Sequence, residues 1–350
     1  GPVVAQSKLI LFHRLGNVES VECLDARAGK ALWKSDYPTG YQDDYSRGDG
    51  PRGTPAIADG KVFTFGAEGT LTCWNLTNGA KVWSVDTTKQ FSARKGFFGV
   101  ACSPLVEGSA VLLNIGGTDG AGIVAFDKST GKVLWKATDD EASYSSPVAA
   151  TVNGKRIVFF FTRAGLAAID PGQGKVLLKF PWRARMPASV NAATPLVIGD
   201  LIFLSASYQT GAILQRLKPD NTLEKVWSGD EMLSNHYATS VYRDSFLYGI
   251  DGRHDFGNTE LRCVEWQTGK VRWTQPGLTA ANVTLAGNQL LVLTEKGELI
   301  LAAATPEKFK ETARAQILGS GVRASPALAD GLFYARSQDK LVCVDLRAQK

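Results

Sequence analysis

Apolar and polar positions alternate along the chain in a frame that repeats. In the segment AFDKSTGKVLWK (125–136), an apolar strand ends at Asp127, Gly131 follows four positions later, and Trp135 follows four positions after the glycine. Similar segments occur at 23–34, 73–84, 168–179 and 263–274. Each predicts a β-hairpin, because the acidic or amide side chain can hydrogen-bond the turn backbone and glycine accepts a positive φ. The tryptophan is expected to pack its large apolar face between neighbouring sheets.

A second signal precedes the hairpins: a small polar residue, then proline, then a short apolar stretch. Proline suits the first residue of a strand because that position can lack an N–H at little cost. The clear copies are Thr54-Pro55, Ser103-Pro104, Ser146-Pro147, Thr194-Pro195 and Ser325-Pro326. Pro2 opens the same pattern, and degenerate copies fall at Ser240 and Val283, which gives eight starts. Tandem copies of this length predict one closed ring rather than several domains.

The fold predicted is therefore all-β: an eight-bladed β-propeller of four-stranded antiparallel blades, forming a single domain over 1–350. The blades are placed at approximately 1–37, 52–86, 100–138, 144–180, 191–229, 236–275, 279–317 and 322–350. The last repeat ends without its own Gly-x3-Trp strand, so the last blade is incomplete within this chain. We expect residues upstream of Gly1 to supply the missing strand, or a last blade of three strands.

One copy departs from the frame. The segment at 168–179 has Leu178 where the other hairpins have tryptophan, which makes the fourth blade the weakest copy. Trp182 follows four residues later and is the side chain expected to fill the gap.

Charge and cysteine usage narrow the function classes. The net charge of +5 is mild and scattered, which gives no reason to expect nucleic acid, and no apolar run is long enough to predict a membrane span. Cys23, Cys73, Cys263 and Cys343 share one repeat position in different blades, so their sulfurs are expected to lie too far apart for disulfides. Cys102 stands apart from this set. All five are predicted to be free thiols.

The pattern small-x-Asp-x3-Gly-x3-Trp after a Ser/Thr-Pro strand resembles the pyrroloquinoline-quinone-like β-propeller repeat family across essentially the whole chain. The segments GPRGTP, YSSPV, SVNAATP and RASPALADG are most similar to its secreted, eight-bladed bacterial members. The family contains quinoprotein dehydrogenases and cofactor-free propellers, among them a lipoprotein that assists assembly of outer-membrane barrels. The resemblance implies a periplasmic or extracellular location in a bacterium.

Loops that enter the inner strands and loops between second and third strands meet on one face of a propeller. All three histidines and six arginines fall on these loops, with few acids, which predicts a cationic axial funnel for an anionic ligand. The candidate binding residues are His13, Arg14, Arg52, Tyr144, Arg163, Asn191, Tyr208, His236, Asp251, Arg253, His254, Glu295, Arg323 and Arg336. The histidines occur singly, without ligand spacing, so no metal site is predicted.

Two interpretations of these residues stay open. The polar side chains can form a ligand site, or they can hydrogen-bond strand-end carbonyls and line a water-filled channel. The long loops at 37–52, 89–99 and 181–191 carry aromatic and charged side chains that suit a carbohydrate, and equally suit loops packed over a rim.

The function predicted is a non-catalytic propeller that binds an anionic small molecule, a carbohydrate or another protein at the loop face. The alternative is an enzyme, either a quinone-dependent sugar or alcohol dehydrogenase or a lyase or hydrolase of acidic polysaccharide, with His236 or His254 as the base. The resemblance admits pyrroloquinoline quinone with Ca²⁺. However, the chain has no adjacent cysteine pair and no C-x-x-C-H haem site, so no cofactor is expected. Scaffolding of barrel assembly follows from the resemblance alone.

Overall fold

The computed structural model describes residues 1–45, 48–184, 186 and 189–347. The predicted loops at 37–52 and 181–191 therefore fall partly outside the described residues, as does the end of the last blade. Within the described residues the strands form eight antiparallel sheets, seven with four strands and one with three, and each sheet is a meander in chain order. The prediction of an all-β, eight-bladed propeller is confirmed, and so is the prediction of an incomplete last blade.

The first four blades contain sixteen of the strands. Blade 1 comprises β1 (Val3–Ala5), β2 (Lys8–Leu15), β3 (Val18–Asp25) and β4 (Ala31–Pro38). Blade 2 comprises β5 (Ala56–Ala58), β6 (Lys61–Phe65), β7 (Thr70–Asn75) and β8 (Lys81–Asp86). Blade 3 comprises β9 (Leu105–Glu107), β10 (Ala110–Asn114), β11 (Ile123–Asp127) and β12 (Val133–Ala137). Blade 4 comprises β13 (Val148–Val152), β14 (Lys155–Phe161), β15 (Gly165–Ile169) and β16 (Val176–Pro181).

The second four blades complete the ring. Blade 5 comprises β17 (Leu196–Ile198), β18 (Leu201–Ala206), β19 (Gly211–Leu217) and β20 (Leu223–Gly229). Blade 6 comprises β21 (Val241–Arg243), β22 (Phe246–Asp251), β23 (Glu260–Glu265) and β24 (Val271–Gln275). Blade 7 comprises β25 (Ala281–Ala286), β26 (Gln289–Thr294), β27 (Glu298–Ala303) and β28 (Glu311–Gln316). Blade 8 comprises β29 (Ala327–Ala329), β30 (Leu332–Arg336) and β31 (Leu341–Asp345).

Helix is confined to two short segments among the described residues. The α-helix α1 (Thr87–Phe91) follows β8, and Asp86 caps it by accepting a hydrogen bond from the Lys89 backbone N–H. A single 3₁₀ turn covers His254–Phe256 in the loop between β22 and β23. None of the described helices is long and apolar enough to cross a membrane.

The ring closes between blade 8 and blade 1. The short inner strands β1 and β29 lie against each other. The Tyr334 hydroxyl donates to the Ala26 carbonyl over 2.9 Å. Leu9, Leu332 and Tyr334 are buried together in one apolar cluster at this junction. Closure is therefore made by side-chain packing, by this buried hydrogen bond and by a second one from Arg336 to the Phe12 carbonyl, without an additional strand among the described residues.

In blade 3, the side chain of Asp127 stabilises the hairpin turn that the sequence predicts. The Asp127 Oδ1 accepts from the backbone N–H groups of Ser129 and Thr130, and Gly131 takes a φ of 72°. A bulge between Ala125 and Phe126 then brings Trp135 opposite Ala125. The small residue and the tryptophan of the repeat are thus cross-strand neighbours, which explains why that position carries alanine or cysteine.

The tryptophan of one blade reaches the hairpin turn of the next blade. Trp135 Nε1 donates to the Pro171 carbonyl over 2.9 Å, and its ring covers Gly174, where a Cβ would lie 2.6 Å from the indole. The other indoles that donate to a carbonyl of the following blade are Trp33, Trp83, Trp227 and Trp273. The tryptophans therefore join neighbouring sheets, as the hydrophobic pattern predicts.

The five cysteines are free, as predicted. Cys23, Cys73 and Cys263 are buried under the outer strand of their own blade, opposite Trp33, Trp83 and Trp273. Cys343 occupies the same repeat position in β31 and is exposed, because no outer strand covers it.

Replacing Trp135 with alanine should lower the free energy of unfolding by about 2–4 kcal/mol, because the change removes both the packing against Gly174 and the hydrogen bond to blade 4. The matched control is Leu134→Ala on the opposite side of the same strand, where the side chain is 48% exposed and little should change. Urea unfolding followed by tryptophan fluorescence and circular dichroism measures both. Equal losses in the two variants would contradict a joining role for the indole.

Candidate functional site

Entry loops and second-to-third loops do converge on one face. The Asp251 carboxylate, at the end of β22, accepts from the backbone N–H of Ser234 in the loop that enters β21. The Glu295 carbonyl, after β26, accepts from Gly321 and Val322 in the loop that enters β29. We call this side of the ring the loop face.

The sharpest cluster on the loop face joins blades 6, 7 and 8. His254 Nδ1 lies 3.2 Å from Glu295 Oε2, and Arg323 places one terminal nitrogen 2.9 Å from His254 Nε2. The Arg323 Nε also donates to Glu295 Oε1 over 2.9 Å. A guanidinium can only donate, so Nε2 accepts and the proton is carried on Nδ1, where it is donated to Glu295. Both imidazole nitrogens of His254 are thereby engaged.

A row of aromatic rings continues from this cluster toward blade 5. The ring of Tyr237 meets His254 edge-on at 6.2 Å and meets His236 at 5.6 Å. The hydroxyl of Tyr208 lies 2.9 Å from His236 Nε2. Burial raises the pKa of Tyr237 to about 12 and also raises that of Tyr208, so both phenols stay protonated at neutral pH.

Arg253 lies between two aromatic rings at the outer side of this row. Its guanidinium carbon is 4.3 Å from the centroid of Tyr208 and 4.6 Å from the centroid of Phe256. Asp255 pairs with the same guanidinium at 2.7 Å. Phe256 is 70% exposed, which makes it the most exposed of the large apolar side chains in the described residues. We call Tyr208, His236, Tyr237, Arg253, His254 and Phe256 the aromatic strip.

The space beneath the strip is small. A cavity lined by His236, Tyr237 and His254 has a volume of about 10 Å³, which is room for one water molecule. The strip therefore presents a surface rather than an enclosed pocket.

Other predicted arginines tie loops together over blades 1 to 4. Arg14 donates to the Tyr41 carbonyl at 2.6 Å and to the Asp49 carbonyl at 3.1 Å. Arg52 donates to the Phe98 carbonyl at 2.7 Å and pairs with Asp43 at 3.3 Å. These two side chains fasten the loops that precede blades 2 and 3.

Tyr144, Arg163 and Asn191 serve the same purpose further round. The Tyr144 hydroxyl accepts from the backbone N–H groups of Phe97 and Phe98 at 2.9 and 3.0 Å. Arg163 pairs with Glu141 at 2.9 Å and lies 5.1 Å from the Phe97 ring centroid.

Asn191 is buried and spans two turns. Its Nδ2 donates to the carbonyls of Thr162 and Trp182 at 2.9 and 3.2 Å, and its own carbonyl accepts from Tyr144 and Ser145. The interpretation as strand-end hydrogen bonding therefore describes the contacts of this residue.

His13 and Arg336 lie at the junction between blades 1 and 8. His13 Nε2 is 3.3 Å from Glu22 Oε1, and burial lowers the pKa of His13 more than Glu22 raises it. Arg336 donates to the Phe12 carbonyl at 3.4 Å, and burial lowers its pKa. Neither residue touches the aromatic strip.

Asp251 belongs to a network that the sequence did not indicate. Its carboxylate lies 3.1 Å from Arg262, which also pairs with Glu260 at 3.1 Å. Burial raises the pKa of Asp251 despite these partners. Arg262 lies on strand β23, whereas the sequence analysis took its candidate residues from the loops.

A fully buried carboxyl group was also missed. Glu19 has no exposed surface, and it accepts from the Tyr37 hydroxyl at 2.5 Å and from the Ala67 N–H at 3.0 Å. It joins blade 1 to blade 2. Burial raises the pKa of Glu19, and burial together with the Glu19 charge raises that of Tyr37.

Internal partners thus take up the charge of the predicted funnel. Arg52, Arg163, Arg253 and Arg323 each pair with a carboxylate, and Arg14 and Arg336 donate to carbonyls. Among the described residues no three His, Cys, Asp or Glu side chains come together to hold a metal ion. The prediction that no cofactor is needed stays a prediction.

The ring of hairpin-bearing blades defines the class: an eight-bladed propeller of pyrroloquinoline-quinone-like repeats. The family model described as outer membrane protein assembly factor BamB matches residues 17–275, and the chain belongs to this family. A similar solved structure is BamB from Moraxella catarrhalis, with a TM-score of 0.70 and 16% identity, covering 98% of this chain and 92% of that one. At this identity the likeness shows the fold.

Curated relatives with sequence similarity are alcohol dehydrogenases. Quinohemoprotein alcohol dehydrogenase ADH-IIG of Pseudomonas putida is 28% identical over 143 residues, which is 39% of this chain. The dehydrogenase subunit of the quinone-type alcohol dehydrogenase of Acetobacter aceti is 33% identical over 138 residues, which is 36% of this chain. The matched segments span 18% of the length of each relative.

The buried Glu19 generates a pH-dependent prediction. Because its pKa is raised in the folded state, the native protein holds this proton more tightly than the unfolded chain, and its contribution to stability falls as pH rises above the ordinary value of 4.5. Glu19→Gln should therefore gain stability relative to the wild type as pH rises from 4.5 toward neutrality. Urea unfolding of both proteins across this range measures the difference. A difference that is constant with pH, or that grows toward low pH, would contradict it.

Proposed function

We propose that this protein is a non-catalytic interaction propeller that acts in outer-membrane protein assembly in the bacterial periplasm and binds a partner protein through the aromatic strip. The observation that carries the proposal is the stack of Arg253 between Tyr208 and the exposed Phe256. Family membership supports the biological setting.

The composition of the strip suits a protein interface. Tyrosine and arginine are enriched among the residues that dominate binding energy, and aromatic side chains lose little conformational entropy on binding. The stacking of Arg253 and the ring contacts of Tyr237 hold these side chains in place before a partner arrives. Preorganisation of this kind reduces the entropic cost of association.

A partner protein is favoured over a free anion or a carbohydrate. A small anion would have to compete with Asp255 for Arg253 and with Glu295 for Arg323, whereas an apolar contact on Phe256 displaces no existing ion pair. The cavity below the strip holds about 10 Å³, which is too little for a sugar ring. The partner surface expected is an apolar patch with carboxylates at its rim.

The double variant Phe256→Ala, Arg253→Ala should abolish function without unfolding the protein. In a strain that lacks the chromosomal gene, it should leave outer-membrane protein levels at those of the deletion, while the purified protein keeps its thermal midpoint within a few degrees. The control is Leu15→Ala, an exposed apolar side chain of blade 1 that is 61% accessible and distant from the strip. Full complementation by the double variant would overturn the strip as the binding surface.

The second candidate is a quinone-dependent dehydrogenase, which the sequence similarity to alcohol dehydrogenases favours. A thermal-shift titration with pyrroloquinoline quinone and Ca²⁺ separates the two functions, because a ligand that binds the native state raises the melting temperature. We expect no shift. A saturable rise that Arg323→Ala removes would support the dehydrogenase and count against the interaction propeller.

A further inference from the structure

A groove of about 600 Å³ runs along the perimeter of the ring between blades 4 and 5. This volume is within the range of ligand sites in proteins. Its apolar lining comes from β16 and the chain after it on one side and from β19 and β20 on the other. The lining side chains used below are Leu178, Phe180, Trp182, Gln215, Asn221 and Lys225.

The groove lies where an indole is found at other junctions. Leu178 stands opposite Ala168, as Trp135 stands opposite Ala125 in the preceding blade. Leucine is too short to reach the turn of blade 5, so the space that an indole would occupy stays open.

The turn of blade 5 carries a matching change. Under Trp83, Trp135 and Trp227, the left-handed turn position is glycine, because a Cβ at Gly131, Gly174 or Gly269 would lie 2.6–2.8 Å from the indole. In blade 5 the equivalent position is Asn221, with a φ of 66°. A side chain is tolerated there because no ring covers it.

A third change faces the same groove. Gln215 follows the bulge in β19, at the position where other blades bury apolar side chains against the preceding blade. Those equivalents are Leu24, Trp74, Phe126, Ile169, Val264 and Ala302. Gln215 is 2% exposed and lines the groove, and its amide makes no hydrogen bond to the described residues. This amide is therefore a polar group within reach of a ligand in the groove.

Trp182 packs against the apolar cluster shared by blades 4 and 5, as expected, but leaves the groove open beside it. Its ring stacks on Phe180 with centroids 6.2 Å apart and lines the groove wall. Its Nε1 is buried without a hydrogen-bond partner among the described residues. The groove therefore has an aromatic wall, a polar amide and one buried donor that lacks a partner among the described residues.

We propose that this groove binds a tryptophan side chain of another polypeptide, in the place that an intramolecular indole occupies at the neighbouring junctions. The bound ring packs against Phe180 and Trp182, and its N–H donates to the Gln215 amide oxygen. The Gln215 amide nitrogen and Trp182 Nε1 donate to backbone carbonyls of the bound segment. Lys225 lies at the rim, where a carboxylate beside the tryptophan can pair with it. This site lies on the perimeter and goes beyond the loop-face function proposed above.

The direct test is a fluorine NMR titration with N-acetyl-5-fluorotryptophanamide. The wild type should give saturable binding with a Kd on the order of 1 mM, a modest affinity typical of a small fragment. Leu178→Trp fills the groove with an indole of the protein itself, so the Kd of the probe should rise at least about tenfold. Leu134→Trp adds an indole on the exposed side of β12 and should leave binding unchanged. No saturable binding to the wild type, or equal binding to Leu178→Trp, overturns the proposal.

Gln215→Leu supplies a second test that does not depend on the folding of Leu178→Trp. It restores the apolar side chain found in other blades and should weaken the tryptophan probe by about threefold or more, the loss of one hydrogen bond. The matched probe N-acetyl-4-fluorophenylalaninamide keeps the backbone carbonyls but lacks a ring N–H, so its affinity should fall less than that of the tryptophan probe. Equal effects on both probes would contradict the assigned role of the amide.

A third comparison identifies the source of the ring. A blocked Ala-Ala-Trp-Ala-Ala peptide should bind more tightly than free 5-fluoroindole, because its backbone carbonyls meet the unpartnered donors. Tighter binding of free fluoroindole would refute a polypeptide ligand. Phe256→Ala should leave every titration unchanged, so failure of the groove and failure of the loop-face function are distinguishable.

Discussion

Stability of the ring depends on the contact in which a tryptophan of one outer strand crosses to the hairpin turn of the next blade. The contact combines apolar burial with a hydrogen bond from Nε1 to a turn carbonyl, as Trp135 makes with Pro171. It also constrains the local sequence: alanine or cysteine lies opposite four of the five indoles that reach the next blade, and the turn beneath four of the five carries glycine. The loops of the loop face can then vary in sequence, because the tryptophan contacts of the outer strands hold neighbouring blades together.

The fold could be predicted from the sequence because the residues that determine it lie close together in the chain and recur from repeat to repeat. The Asp–Gly–Trp frame and the Ser/Thr-Pro starts encode turn geometry, strand ends and the period of the ring within a few residues of each other. The last blade of three strands could be predicted for the same reason. Each of these patterns is a weak signal by itself, but its recurrence along a chain of eight blades makes the prediction strong.

The partners of the loop-face side chains could not be predicted in this way. The Arg52 side chain reaches a carbonyl 46 residues away, and the pairing of Arg323 with Glu295 joins two blades. Such contacts depend on loop conformations, for which the repeat provides no template. Phe256 could not be recognised because a single apolar residue in a polar loop is not a pattern. The unusual length of the loop between β22 and β23 could have drawn attention to it. Gln215 became informative only when the bulges aligned it with its apolar counterparts.

The indole and the glycine beneath it belong to different repeats, and this has a consequence for how such a chain can change. A blade is not an interchangeable module, since its outer strand and the turn of its successor form one steric unit. A substitution at the tryptophan releases the constraint on the next repeat, as the combination of Leu178 with Asn221 illustrates. Recombination between repeats should therefore succeed when the exchanged segment keeps each tryptophan together with the glycine turn that it covers in the next blade. It should fail when a boundary of the segment separates the two.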